Sequence, residues 1–186
     1  MKKSLTALNL FLLALLACAL PRPVFDAQQP PTKTPPTITV DSAYMGCGWN
    51  WATQALPELS AEVQSAMQAA GLDGVTVLAE AYGENCFDGQ TGEVLYFATM
   101  ETDFRVTVQV KDLNDRALLG QVAEEVLIVL DGFPPGATPG PNPGYIGIRF
   151  TDGSAESNLW FTVTDGESAR ALGLHGAELL DELENR

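Results

Sequence analysis

The stretch DFRVTVQVK, residues 103–111, contains the clearest strand pattern in the chain. Its apolar residues Phe104, Val106, Val108 and Val110 alternate with polar ones. A period of two is typical of a strand with one buried and one solvated face. The sequence therefore predicts a sheet that needs a covering layer on one side.

Two amphipathic helices flank this strand. The first, Ala55–Ala70, has apolar residues at helical spacing and ends before Gly71. The second, Asp115–Leu130, has the same spacing and is predicted to be capped by Asn114. Both helices can cover the apolar face of the sheet.

Three further strands are predicted. One covers 75–82 and is followed by a turn-rich insert at 83–92; the others, 146–150 and 159–163, form a hairpin. A short helix or two closes the chain. The order α-β-β-α-β-β-α predicts an α+β fold. We expect a two-layer sandwich in which two main helices cover one face of an antiparallel-rich sheet of about four strands.

Composition predicts one acidic domain over residues 44–186. The chain has 186 residues, of which 46% are hydrophobic, and a formal net charge of -14. From Asp41 onward, six basic residues face 23 acidic ones. This balance argues against a nucleic-acid partner, because phosphate backbones are bound through cationic surfaces. An acidic surface is also a common solubility device.

Residues 1–17 have the layout of a secretory signal peptide. Lys2 and Lys3 precede an apolar core at 5–16. That core is shorter than the roughly 20 residues needed to span a bilayer. We therefore expect export and exclude this segment from the fold.

The signal peptide ends in Leu15-Leu16-Ala17-Cys18, which resembles the lipobox of bacterial lipoproteins. The resemblance implies cleavage before Cys18 and acylation of its thiol, so the lipid bilayer becomes a partner and the domain is held at the outer side of a bacterial membrane. The alternative is an A-x-A site, Ala17-Cys18-Ala19, with ordinary secretion.

A proline-rich tether is predicted from the lipidated cysteine to residue 43. This region holds half of the 12 prolines of the chain. Read as a polyproline-like spacer, it reaches up to about 60 Å. The alternative is a disordered leader without a function.

Cys47 and Cys86 are predicted to form a disulfide, because they are the even pair that remains in an exported segment. The closed loop of about 40 residues is worth roughly 4 kcal/mol in the chain-entropy treatment. A redox-active pair is the alternative, but the C-x-x-C spacing is absent from the sequence.

Trp49 and Trp51 form a candidate aromatic patch. On an extended segment, residues two apart point to the same side. Exposed, the two indoles can stack on sugar rings or enter a pocket of a partner. The alternative is that they plug the edge of the core near the disulfide.

Tyr82, Arg105, Arg149 and Trp160 form a candidate binding face, because all four occupy polar positions of predicted strands. The arginines can clasp an anionic group while the rings supply flat contact area. The alternative is a solvated face whose arginines pair with neighbouring carboxylates, Glu80, Glu101 or Asp103.

No cofactor, metal site or catalytic residue is predicted. Carboxylates near the turns at Asp88 and Asp152 lack the EF-hand spacing and are typical of turn chemistry. His175 is the single histidine, so a zinc site is not expected, and we predict a surface or helix-start position for it.

The sequence thus predicts a lipid-anchored, extracytoplasmic binding module whose partner is an envelope protein or an anionic ligand. Two alternatives stay open. One is a cell-envelope hydrolase that uses paired carboxylates, which need not be close in sequence. The other is a purely structural envelope protein.

Overall fold

Five strands and four helices make up the described part of the chain, residues 47–134 and 136–186 of a computed structural model. In chain order they are β1 (Cys47–Ala55), α1 (Pro57–Ala69), β2 (Thr76–Asp88), β3 (Val94–Gln109), α2 (Arg116–Asp131), β4 (Asn142–Thr151), β5 (Glu156–Thr162), α3 (Val163–Ala171) and α4 (Gly176–Glu184). The strands form one sheet in the order β1-β2-β3-β4-β5. All neighbours are antiparallel except β3 and β4, which are parallel and joined through α2. The predicted α+β class is confirmed.

The predicted strand count and element order are wrong, because they omit β1 and shorten β2 and β3. The region 83–92 is not a turn-rich insert: β2 continues to Asp88 and β3 begins at Val94. β1 gives no periodic signal because it is an edge strand without a buried side chain. The cap of α2 also differs, since the Asp115 carboxylate accepts from the Leu118 N–H at 3.0 Å.

The core lies between the helices and one face of the sheet. Inward side chains of β2, β3, β4 and β5 share a single buried cluster with side chains from all four helices. Val63 of α1, Val126 of α2, Phe150 of β4 and Leu179 of α4 are among its most deeply buried members. The predicted covering of one sheet face is therefore present, with four helices instead of two main ones.

Ser60 ties α1 to the middle of β2. This helical serine is buried; its hydroxyl donates to the Leu56 carbonyl and accepts from the Ala79 N–H, each at 2.8 Å. The Leu56 N–H in turn donates to the Ala79 carbonyl at 2.9 Å. A buried backbone amide that would otherwise lack a partner is thus satisfied, and the start of α1 is fixed on the sheet.

The Cys47–Cys86 disulfide is confirmed. The Cα atoms of the two residues are 5.4 Å apart, and the bond links the start of edge strand β1 to β2. Because β1 buries no side chain of its own, this cross-link and the backbone ladder hold the strand on the sheet.

The predicted signal peptide, Cys18 and the proline-rich tether lie outside the described residues. Within residues 47–134 and 136–186, no helix is long and apolar enough to cross a membrane.

Helix α2 approaches α4 most closely at Gly120. A Cβ atom at this position would overlap the backbone carbonyl of Gly176. In a helix interior, alanine is favoured over glycine by about 1 kcal/mol, so the contact opposes the intrinsic preference.

We predict that Gly120→Ala lowers the free energy of unfolding by about 2 kcal/mol or more, because a backbone group cannot rotate away as a side chain does. Urea unfolding followed by far-UV circular dichroism measures the change. Gly48→Ala is the matched control, since a Cβ there meets nothing within 4 Å. A Gly120→Ala variant as stable as this control would contradict the packing of α2 against α4.

Candidate functional site

The sheet face turned away from the helices, here called the open face, is crossed by a row of residues in register. Leu78 of β2 pairs with Arg105 of β3, Arg105 with Gly147 of β4, and Gly147 with Trp160 of β5. Directly opposed residues point to the same face of a sheet. The side chains of the open face include Trp49, Trp51, Thr76, Leu78, Glu80, Tyr82, Glu84, Tyr96, Glu101, Asp103, Arg105, Thr107, Tyr145, Arg149, Glu156, Asn158 and Trp160.

A second row runs beside the first. Thr76 pairs with Thr107, Thr107 with Arg149, and Arg149 with Asn158. Arg105 and Arg149 therefore occupy neighbouring strands two positions apart, a Cα separation of about 8 Å in a regular sheet. The fold brings both predicted arginines to one surface.

The edge of the Trp160 indole fits over the β4 backbone at Gly147, here called the platform, because this residue has no side chain. A Cβ atom at Gly147 would overlap the Cζ3 and Cε3 atoms of the Trp160 indole. On this platform Tyr145 stacks against Trp160, with ring centroids 5.8 Å apart and an interplanar angle of 16°. The Arg105 guanidinium lies 5.8 Å from the centroid of the same indole, within cation–π range.

A shallow groove of about 530 Å³ follows these two rows. Both arginines and Trp160 line it, together with the exposed Leu78. Its remaining lining residues are Thr76, Val106, Thr107, Gly147, Ile148, Asn158 and Leu159. None of these lining residues is acidic, although the domain as a whole is strongly so.

Each arginine has a carboxylate neighbour. The Nε atom of Arg105 is 3.1 Å from the Glu80 carboxylate, and the Nε atom of Arg149 is 3.6 Å from that of Glu156. The first pair is one of those the sequence allowed, whereas Glu156 is a different partner from the predicted ones. The arginine side chains remain 58% and 55% exposed. Ion pairs this exposed contribute little to stability.

Trp49 and Trp51 belong to the open face and are 48% and 58% exposed. Trp51 stacks on Tyr82, with centroids 5.3 Å apart and an interplanar angle of 6°, and Trp49 contacts Tyr96 edge to face at 5.6 Å. The alternative in which the indoles plug the core does not fit these exposures. The predicted aromatic patch and the predicted binding face are therefore parts of one surface.

All three tryptophans of the chain lie on this surface, since Trp160 is 50% exposed. Large exposed apolar patches are uncommon on monomeric soluble proteins and mark interaction sites. The open face is therefore the candidate site.

Two carboxylates outside the groove, Asp88 and Asp152, hold local turns together. Asp88 accepts from the Gln90 and Thr91 N–H groups, and these bonds hold its pKa below the usual value. Asp152 accepts from the N–H groups of Ser154 and Ala155, with the same effect on its pKa. Both are turn carboxylates, as the sequence predicts.

Glu101 and Asp103 are two carboxylates close enough to interact. Burial, and secondarily the charge of Asp103, raises the pKa of Glu101. The Asp103 carboxylate, however, accepts from the Tyr145 N–H at 2.8 Å, which gives it a structural role. The pair therefore offers little support for the hydrolase alternative.

His175 stands before the first residue of α4, as predicted, with its Nδ1 atom 2.8 Å from the Glu124 carboxylate. Among the described residues, no group of three or more His, Cys, Asp or Glu side chains is arranged to hold a metal ion.

Sequence reasoning missed Tyr145, Tyr96 and Gly147. Gly147 carried a usable signal, because a glycine inside an apolar strand marks the close approach of another group. The tyrosines carried none, since they precede the regions of clear alternation.

No protein-family model, curated protein or solved structure matches this chain. Its function is therefore inferred from its own residues.

We predict that Gly147→Ala displaces the Trp160 indole from its platform. Alanine suits a strand better than glycine by about 0.5–1 kcal/mol, yet its methyl group occupies the space of the ring. In a Trp49→Phe/Trp51→Phe background, Trp160 is the sole indole, so the long-wavelength tryptophan bands of the near-UV circular dichroism spectrum report on it. The Trp160 signal should fall, whereas Gly48→Ala in the same background should leave it unchanged. Identical spectra for all three proteins would contradict the contact.

Proposed function

We propose that this protein is a lipoprotein anchored at the outer side of a bacterial membrane, whose domain binds a ligand on the open face without turning it over. The observation that carries the binding role is the groove, where the exposed Trp160 ring and two arginines meet without an acidic lining residue. Small-molecule and polymer sites are typically apolar surfaces with a few polar groups that fix orientation.

Binding is favoured over hydrolysis because no carboxylate lines the groove. Neither Glu101 nor Asp103 lines the groove. The open face also has the composition of an interaction surface, since Trp, Tyr and Arg dominate binding energies at interfaces.

Export is supported by three separate features. Residues 1–17 have the layout of a signal peptide, and the lipobox-like residues before Cys18 follow directly. The Cys47–Cys86 disulfide is of the kind that persists in oxidising compartments. Acylation at one cysteine with two chains would satisfy the two signals that stable anchoring requires.

The tether and the acidic charge act together in this proposal. A proline-rich spacer reaching up to about 60 Å holds the domain away from the lipid. Repulsion between the acidic domain and anionic head groups opposes its collapse onto the membrane. The open face is thereby kept accessible to envelope components.

We predict that Cys18→Ser converts the protein from a membrane-bound to a freely soluble form. A serine hydroxyl does not accept the acyl chains that the lipobox resemblance implies. Intact mass and detergent partitioning measure the change, with Cys47→Ser/Cys86→Ser as a control that removes the disulfide cysteines and leaves Cys18. An unmodified wild-type chain that partitions like Cys18→Ser would contradict the anchor.

We predict that Arg105→Ala/Arg149→Ala abolishes the co-purification of envelope components with the tagged, detergent-solubilised protein. Removal of both guanidiniums deletes the cationic part of the groove and leaves the core intact.

Arg116→Ala/Arg186→Ala is the matched control, because it changes the net charge equally on the helical layer, where these arginines pair with acidic residues. Components that survive the first double change as well as the second would rule out the open face as the binding surface.

A further inference from the structure

We infer that the ligand of the groove is an acidic saccharide, specifically a hexuronate unit of an envelope polysaccharide. This inference rests on the proposed function and names its ligand class. It is carried by the juxtaposition of a flat indole, two guanidiniums and small polar side chains on one surface.

The charge of the groove lining indicates that the ligand is an anion. From Asp41 onward the chain has only six basic residues, and two of them, Arg105 and Arg149, line this groove. The lining of the groove has these two cationic side chains and no carboxylate, whereas Glu80 and Glu156 pair with the arginines from outside the lining. A carboxylate matches the guanidinium fork, which binds it through two parallel hydrogen bonds.

The ion pairs at the two arginines leave room for such a contact. Glu80 and Glu156 both approach at the Nε atom of their arginine. Both arginine side chains remain more than half exposed beside these glutamates. A ligand carboxylate can therefore join each pair without displacing the resident glutamate.

The indole of Trp160 indicates that the ligand contains a ring with a flat face. The edge of the Trp160 indole fits over Gly147, and Tyr145 stacks against the ring. A pyranose ring has an apolar C–H face that stacks on such an indole. Its hydroxyl groups meet the hydroxyls of Thr76 and Thr107 and the amide of Asn158, which line the same groove.

The size of the groove and the charge of its lining favour an acidic saccharide over a neutral sugar or a nucleic acid. A groove of about 530 Å³ falls in the range of small-ligand sites, about 300–1,000 Å³, and suits a few sugar units. A neutral sugar would leave the arginines without a role. A nucleic acid would meet the strongly acidic remainder of the domain.

The test titrates the full lipidated chain in detergent with tetragalacturonate, and in parallel with cellotetraose, a neutral chain of equal length. Tryptophan fluorescence reports the binding, because all three indoles lie on the open face. We expect tetragalacturonate to bind at least about 10-fold more tightly than cellotetraose, as loss of a charged hydrogen bond implies.

Trp160→Ala and Arg105→Ala/Arg149→Ala should each weaken tetragalacturonate binding by about 10-fold or more. For these variants calorimetry replaces fluorescence, and thermal unfolding verifies the fold. Arg116→Ala/Arg186→Ala should bind like the wild type. Equal affinity for the two tetrasaccharides, no binding of either, or acidic binding that survives the groove variants would each overturn the inference.

Failure of the saccharide inference can be distinguished from failure of the proposed binding function. If the envelope components still depend on Arg105 and Arg149 while tetragalacturonate does not bind, the ligand class is wrong and the binding role stands. If the captured component is a protein, destroyed by protease, the saccharide is likewise excluded.

Discussion

The packing of all four described helices against one side of the sheet is the constraint on which the rest of the structure depends. The connection from β3 through α2 to β4 keeps those two strands parallel and lays α2 on that side, while Ser60 fixes α1 beside it. Burial of Val63, Val126 and Leu179 in one cluster supplies the hydrophobic stabilisation. No described helix packs on the opposite face, where the side chains of all three tryptophans lie.

The composition of that uncovered face is unusual for a solvated surface. Alternation along a strand normally places polar residues outward, yet the three tryptophans of this chain all point there. Gly147 and Trp160 depend on each other, because the indole occupies the space that a Cβ atom at Gly147 would fill. Tyr145 and Arg105 then approach the indole from β4 and β3. The position of the Trp160 ring in the candidate site therefore depends on the glycine at position 147 and on the register that places Gly147 opposite Trp160.

The sequence predicts the parts of this structure whose side chains are buried on one face. The regular alternation around Val106 and the helical stripes of α1 and α2 report burial directly, so the class and the helix positions follow. β1 could not be predicted because it buries no side chain. The outer half of β3 could not be predicted because register shifts interrupt its alternation of polar and apolar residues. Arg105 and Arg149 could be assigned to the same sheet face from the alternation of polar and apolar residues along their strands. Their pairing with Gly147 and Asn158 could not, because the strand order depends on contacts between residues distant in the chain.

The central claim, that one face of the sheet is uncovered and aromatic, is tested most directly by acrylamide quenching of the intrinsic tryptophan fluorescence of the folded, ligand-free protein. Because no tryptophan belongs to the core, the account predicts red-shifted emission and quenching nearly as efficient as that of the unfolded chain. Blue-shifted emission with weak quenching, before any ligand is added, would mean that the indoles are covered and would contradict it.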